Sequence, residues 1–321
     1  MSSNSTFDTA AYGGSGWRPR VDTHEADLGG IWRRCGIENE WQPLREVILH
    51  TPGDELTASA ADPDSVQMLQ PLDLGKAQDE HEQLIAAYEA HGVNTCLVKP
   101  NEPAPPNQMF CADLFAMTPA GAILARPAST VRAGEEVHVA RRLAELGVPI
   151  IKTLLGPATF EGADLIWINR QQALLGRGLR TNTDAIMQLS QLLTTIGTEV
   201  TAVDMPYGTM HLMGMLRIVD ENLALAWPGR TPYRAVMALR EAGYDVQFLP
   251  DQHSSSAQEL DHNRAFNFVT LGPRKILMVS GNPESKAFYE SLQIECIETP
   301  ATELAKAAGA VGCLTGVLRR G

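Results

Sequence analysis

The chain has 321 residues, 44% of them hydrophobic and 20% charged, with a net charge of −12 and an isoelectric point near 5.1. That composition suits one large globular domain or two small ones, and the acidic balance excludes a phosphate-tracking nucleic-acid binder or a partner of anionic membranes. No apolar run reaches bilayer length, the opening MSSNSTFDTAAYGG has neither the basic start nor the apolar stretch of a signal peptide, and Cys35, Cys96, Cys111, Cys296 and Cys313 form no CxxC pair, so reduced thiols in a cytoplasmic protein are expected rather than disulfides or structural zinc.

Residues 1–36 are rich in Ser, Thr, Gly and Asp without periodicity and read as a flexible or draped N-terminal extension ahead of one domain, 37–321. From EWQPLREVILHTP onward a rhythm sets in. KAQDEHEQLIAAYEAHG, with Leu84, Ile85 and Tyr88 on one face, runs into VNTCLVKP. EEVHVARRLAELG runs into VPIIKTLL, TDAIMQLSQLLTTIG into TEVTAVDMP, TPYRAVMALREAG into YDVQFLP, and PESKAFYESLQ into IECIETP. Apolar spacings of three and four predict the helices, and β-branched runs predict the strands. Thr231-Pro232 reads as an N-cap and first helical residue. Gly92, Gly147, Gly197 and Gly243 stand where helices end, 55, 50 and 46 residues apart.

Between one such unit and the next helix lie two more extended segments, as in ADLIWIN with QALLGRG or FNFVTL with KILMVSG. The last unit, VGCLTGVLRR, lacks a partner strand, and REVILHTP at the start lacks one too. The chain therefore closes on itself, and the expected fold is a ring of five strand–hairpin–helix modules. The alternative is an open doubly wound sheet. It is weakened because no GxGxxG or GxxxxGK loop follows a strand.

In a ring of modules, equivalent positions meet at the axis. The first module gives PPNQMFCAD, ending at Asp113. The second gives TFEGAD, with Glu161 and Asp164. The third gives GTMHLMG, with His211; the fourth HNRAFNF, with Asn267; the fifth AVGC, with Cys313. A thiol, an imidazole and carboxylates are the parts of a nucleophilic site. Paired acids suit a planar guanidinium. Two acids without metal-ligand histidines look like a cation clamp rather than a metal site, so neither metal nor cofactor is expected. Arg132 in RPASTVRAGEE and Arg180 in GRGLRTN stand at strand-to-helix turns and are candidates for a substrate carboxylate, with Arg177 a close competitor to Arg180. Phe110 reads as packing that also walls the site, and Cys111 as a small filler.

TFEGAD, GLRTN, MHLMG and GCLTG, in that order and spacing, resemble the guanidino-modifying superfamily with the five-bladed α/β propeller, or pentein, fold, over residues 40–321. Its members include arginine deiminases, dimethylarginine dimethylaminohydrolases and amidinotransferases. The resemblance implies Cys313 as nucleophile, His211 as general acid and base, Glu161 and Asp113 as guanidinium-binding acids, and Arg132 and Arg180 as carboxylate-binding arginines. PPNQMFCAD, RPASTVRAGEE and HLMGMLRIVDENLALAWPG follow the bacterial dimethylargininase type.

Departures set the alternatives. Met213 stands where deiminases and amidinotransferases usually have Asp, and Glu161 where amidinotransferases have Asp. Asn107 and Ala112 stand where dimethylargininases usually have acids. The ending CLTGVLRR and the opening EWQPLREVI are amidinotransferase-like. The expectation is a C–N hydrolase of an arginine derivative, working through a Cys313 thiouronium. Its alternatives are transfer of the amidino group to an amine acceptor and a non-catalytic guanidino binder. Asp164 is expected either to brace a turn and orient His211 or to meet substrate. The expected partner is a small guanidino molecule, without nucleic acid or membrane, and a homo-oligomer is allowed.

Overall fold

The structure, a computed structural model, describes residues 6–60, 62–250 and 264–321. Five three-stranded sheets stand in a ring. The second blade shows the plan. Phe115–Thr118 and Gly121–Leu124 form an antiparallel hairpin, the chain crosses through the helix Glu135–Glu145, and Ile150–Lys152 returns parallel to the hairpin's second strand. The third blade repeats it with Leu165–Asn169, Gln172–Arg177, the helix Thr183–Thr195 and Glu199–Asp204. The fourth uses Leu216–Ile218, Leu223–Ala226, Tyr233–Glu241 and Asp245–Phe248; the fifth uses Val269–Gly272, Lys275–Val279, Pro283–Ser291 and Glu295–Thr299.

The first blade closes the ring. Leu44–Leu49 lies between the C-terminal strand Gly316–Arg320, antiparallel, and Asn94–Leu97, parallel, with the helix Leu74–Ala90 as its crossover. The two unpartnered strands of the sequence thus pair with each other, as expected, and no blade hairpin is left unclosed.

Why the helices stop is local chemistry. Gly92, Gly147, Gly197 and Gly243 take φ of 72°, 76°, 82° and 92°, the left-handed turn that follows a helix end and that Gly adopts without a Cβ clash. The fifth helix has no such glycine, and Gln293 takes that turn at φ 61°. Starts differ from expectation at one point. The fourth helix begins at Tyr233, with Pro232 before it making no side-chain cap. Thr231 instead turns its Oγ1 toward the Met215 and Trp227 carbonyls, at 2.6 and 3.0 Å, and so ties the helix start to its own hairpin.

The apolar residues gather between blades rather than at the axis. Leu189 and Leu193 pack with Val139, Leu143 and Trp167 across the second and third blades. Leu84 and Tyr88 pack with Leu277, Leu304 and Leu314 across the first and fifth. A fully buried side chain of this size contributes about 2 kcal/mol relative to exposure. Polar tips lock neighbours: Trp167 Nε1 donates to the Met117 carbonyl at 3.0 Å and Tyr244 Oη to the Ile168 carbonyl at 2.8 Å. No helix among the described residues is long and apolar enough to cross a membrane.

Residues 6–22 are largely exposed. The chain then joins the ring: His24 Nε2 meets the Ala120 carbonyl at 2.6 Å, Arg33 pairs with Glu46, and Gly36 exchanges backbone bonds with Leu318 and Arg320 at 2.9 and 3.1 Å.

Candidate active site

Four of the five blades' innermost strands are entered through a single helical turn: Cys111–Leu114, Gly162–Asp164, Leu212–Gly214 and Val311–Leu314 precede the strands of the second, third, fourth and first blades. The entry to the fifth blade, before Val269, is a non-helical turn that carries Asn267, while His262 and Asn263 of the same HNRAFNF stretch lie outside the described residues. The repeated turn delivers one polar side chain per blade to the same end of the hub. That is the physical content of the sequence argument from equivalent positions.

A small cleft opens there, lined by Cys313, Asp113, Arg132, Arg180, Phe110 and Asn107, with Gln67, Met210 and Ala307–Gly309 completing the wall. Glu161 and His211 lie buried beside these residues, joined by a 2.7 Å bond from His211 Nε2 to Glu161 Oε2. His211 Nδ1 is 3.7 Å from Asp113 Oδ1. Burial drags the imidazole pKa down, but Asp113, the Glu161 hydrogen bond and charge, and Asp164 outweigh it and raise it to about 9. Burial also disfavours the Glu161 carboxylate, yet His211, Arg132 and Arg180 hold its pKa well below the ordinary range. At neutral pH the pair is an imidazolium against a carboxylate.

Arg132 and Arg180, the candidates for a substrate carboxylate, both reach Glu161. Arg132 Nη1 donates to Asp113 Oδ2 at 2.8 Å and to Glu161 Oε2 at 3.1 Å, while its Nε and Nη2 clasp Glu135 at 2.8–3.2 Å. Arg180 Nη1 reaches Glu161 Oε1 at 3.2 Å. The reason is charge. Asp113, Glu135 and Glu161 are all buried, and a permanently charged, forked guanidinium is the cheapest compensation for clustered carboxylates. Asp113, Glu161 and His211 bring ligand-type atoms within 4.8 Å of one another, and the Arg132 guanidinium bonds both of the acids. Glu135, the first residue of its helix, is a site residue that the sequence does not mark: Ala133 is extended and Gly134 left-handed, so the chain turns between Arg132 and Glu135 and no helical spacing relates them. Burial pushes its carboxyl up to about 7 despite Arg132.

The remaining candidates sort by contact. Asp164, expected either as a brace or against substrate, lies beneath the cavity. Its Oδ2 accepts from Thr181 Oγ1 at 2.6 Å and its Oδ1 from the Leu212 amide at 2.9 Å, bracing the residues beside Arg180 and His211. Arg177 is exposed and paired with Asp204 at 2.6 Å, outside the cavity. Asn107 donates to the Val66 carbonyl at 2.8 Å. The Phe110 ring packs against Gly309 and lies 5.8 Å from the Arg132 guanidinium carbon. Cys111 is wholly buried. Met213 and Ala112, two of the departures noted in the sequence, line a second cavity on the opposite face of the hub.

Cys313 is held by Asn267 twice: Asn267 Nδ2 donates to Sγ at 3.0 Å, and the Cys313 amide donates to Asn267 Oδ1 at 3.1 Å. Burial and then Asp113 push the thiol pKa up, while Asn267, a backbone bond at Ala310 and Arg217 pull it down, leaving it above its usual value. One acceptor in the cluster is short of a hydrogen bond: Asp113 Oδ1 is buried, accepts none, and faces the His211 ring at 3.7 Å.

Comparison with known proteins agrees with this layout. The dimethylarginine dimethylaminohydrolase of Streptomyces coelicolor is 27% identical over 248 residues, 77% of this chain and 88% of that protein. Its namesake from Pseudomonas aeruginosa is 23% identical over 272 residues, 85% and 98%. The Pseudomonas enzyme as a cysteine-to-serine mutant complexed with citrulline superposes with a TM-score of 0.70 at 21% identity, covering 86% of this chain and 99% of that one. SxtG, an amidinotransferase from Microseira wollei, also reaches 0.70, at 16% identity, covering 89% and 97%. The sequence profile described as N,N dimethylarginine dimethylhydrolase, eukaryotic, matches residues 65–315. With five closed blades and that match over most of its length, the chain belongs to the N,N-dimethylarginine dimethylhydrolase family of guanidino C–N hydrolases, within the pentein superfamily.

Proposed function

We propose that the protein hydrolyses a C–N bond of an arginine-like guanidino compound, with Cys313 as nucleophile and His211 as proton donor and then acceptor. The observation that carries this reading is the buried Asp113 Oδ1, which accepts no hydrogen bond, in the same cleft as the Cys313 thiol, with the protonated His211–Glu161 pair against it. A substrate guanidinium donates to Asp113 Oδ1 and displaces the Arg132 Nη1 contact with Glu161. Arg180, whose Nε has no partner, receives the substrate carboxylate.

The bound cation offsets the Asp113 charge and lets the thiol lose its proton to solvent. Sulfur attacks the central carbon, and one C=N electron pair moves onto nitrogen. As the adduct collapses, the amine leaves with the His211 proton, and an S-alkylthiouronium remains on Cys313. The now neutral His211 takes a proton from water. The hydroxide adds to the same carbon, the C–S bond breaks with its electron pair returning to sulfur, the hydroxyl proton passes to that sulfur, and a ureido product departs. His211 starts as the acid because its raised pKa keeps it protonated at neutral pH.

The test is a panel of arginine, N-methylated arginines and shorter guanidino compounds, assayed for ammonia, alkylamine and ureido product, with and without glycine as acceptor. Ureido product without acceptor supports hydrolysis. Product only with acceptor would make the protein an amidinotransferase. A Cys313→Ser protein that turns over normally would end the scheme in either form.

A further inference from the structure

Behind the thiol, on the hub's other side, stands an arginine that the chemistry above does not use. Arg217 lies in the strand Leu216–Ile218, within the apolar run MLRIV, and only 9% of it is exposed. Its Nε donates to the Phe266 carbonyl at 3.3 Å, and its guanidinium carbon lies 5.4 Å from the centre of the Phe268 ring. Its Nη2 has no acceptor, and among the described residues no carboxylate pairs with it. Every other buried arginine near the thiol, Arg132 and Arg180, is bound to an acid.

An unpaired buried cation is costly, and an apolar side chain would fill the strand at less cost. What the cation faces explains its presence. A Cβ built on Gly312 would lie 2.5 Å from Arg217 Nη2 and 2.8 Å from Asn267 Oδ1. Only glycine at 312 lets the guanidinium come so close behind the residue that carries the thiol. The Gly312 amide donates to the Asn267 carbonyl at 3.1 Å, and the Asn267 side chain in turn holds both the Cys313 amide and its sulfur. Arg217, the 266–268 turn and the 312–313 turn form one contiguous unit.

We propose that Arg217 is a positioning residue that, with Asn267, favours the Cys313 thiolate from behind the hub; this rests on Cys313 being the nucleophile. The groups facing Cys313 are Asp113, which opposes thiolate, and Asn267 and Arg217, which favour it; Arg132 and Arg180 share its cavity but are committed to acids. The groups facing Arg217 are Cys313, Glu40, Tyr289 and Tyr88. With the two front arginines bound to acids, Arg217 supplies a positive charge that no carboxylate hydrogen-bonds, packed against Gly312, the residue before the thiol. The step it assists is loss of the thiol proton to solvent, with no other bond changing.

The test is the pH dependence of Cys313 alkylation by iodoacetamide, a neutral probe, read by mass spectrometry of the 313-containing peptide in the full-length protein. Thermal unfolding is measured alongside. In Arg217→Met the pH of half-maximal rate moves up by about half a unit or more, the direction expected on losing a nearby positive charge. Arg217→Lys restores part of that shift, and the melting temperature of Arg217→Met does not fall, because a costly buried charge has been removed. Asn267→Leu, which deletes the N–H to sulfur, also moves the profile up. An unmoved profile in Arg217→Met, or a melting temperature that drops while the profile stays put, overturns the proposal and leaves Arg217 a brace of the 266–268 turn. If Arg217→Met does not fold, an unmoved profile in Arg217→Lys and Asn267→Leu overturns it equally. Alkylation needs no turnover, so this outcome is independent of the substrate panel: a catalytically silent protein with a shifted profile sinks the proposed reaction and keeps the role of Arg217.

Discussion

The two faces of the hub are built from the same five entry turns, and they treat charge in opposite ways. On the front, Asp113, Glu135 and Glu161 meet Arg132, Arg180 and His211 in a web of bonds mostly between 2.7 and 3.2 Å. On the rear, Arg217 and Arg320 are just as buried, yet Arg217 Nη2 and Arg320 Nε have no acceptor, and Glu40 accepts from the Trp167 amide at 2.9 Å rather than from either arginine. The pKa directions mirror this. Burial lowers Arg217 to about 10 and lowers Arg320, whereas Arg132, also penalised by burial, is raised by its three acids. On the front, acids and bases are hydrogen-bonded to one another. On the rear, among the described residues, neither arginine is hydrogen-bonded by a carboxylate, and Glu40 acts on both only through its charge.

If the front is fixed by pairing, breaking its centre has the largest effect. Glu161→Gln leaves Arg132, Arg180 and His211 short of one charge. Turnover should fall by roughly 10²–10⁴, the usual share of positioned acid–base groups, and stability by about 3–5 kcal/mol, the cost of breaking a buried pair. Denaturant unfolding beside a steady-state assay measures both. A variant within 1 kcal/mol of the parent would mean that the web is not a unit, and the contrast with the rear would dissolve.

Asp113→Asn is narrower. Asp113 carries the oxygen that accepts no hydrogen bond, so the substitution should raise KM at least as much as it lowers kcat. It should also bring the alkylation profile of Cys313 down in pH, because Asp113 is the charge that opposes the thiolate. A KM that does not change would move the substrate guanidinium elsewhere.

Much of this was legible from the residues. The glycine spacing and the two unpaired terminal strands reported the closed ring, because both follow from backbone geometry that a repeat must obey. The meeting of Asp113, Glu161, His211, Asn267 and Cys313 at one end of the hub followed from equivalence of position. The direction of Arg132 was not legible. It depends on Glu135 and Asp113 being buried at once, and burial is a property of three blades together. Arg217 was passed over for the same reason: a lone Arg in MLRIV reads as an ordinary strand residue until the unpaired Nη2 and the narrow gap at Gly312 are seen. Thr231 keeps a polar role but serves its own hairpin instead of the helix, a competition between helix amide donors and hairpin carbonyl acceptors that local sequence does not rank.

The imidazolium offers a gentler probe of the front. The folded pKa of His211 is about 9, above the ordinary 6.5. Between those values the folded chain holds a proton that the unfolded chain has lost, so its stabilisation is complete below about pH 6.5 and is lost as pH rises through about 9. Urea midpoints should decline across that interval, and His211→Phe should flatten the decline. A His211→Phe variant with the parental slope would show that the front pair is not ionised.

The smallest effect lies at the rear, where Glu40 is the acid that shares the hub with Arg217 and Arg320. Burial raises its carboxyl pKa, with Arg320, the Trp167 amide and Arg217 only partly offsetting it. An acid with a raised folded pKa weakens the fold where it is ionised and is neutral in effect once protonated in both states. Glu40→Gln keeps an acceptor for Trp167 and removes the charge. Its melting temperature should therefore exceed the parent's at neutral pH, and the advantage should shrink as pH falls toward 4.5, the ordinary carboxyl range. It also leaves Arg217 less neutralised, so the Cys313 alkylation profile should move down by a few tenths of a unit, opposite in sign to Arg217→Met and smaller because Glu40 acts on the thiol through the arginine. A shift in the same direction as Arg217→Met would mean that both substitutions act by loosening the hub, and that the charge behind the thiol is incidental.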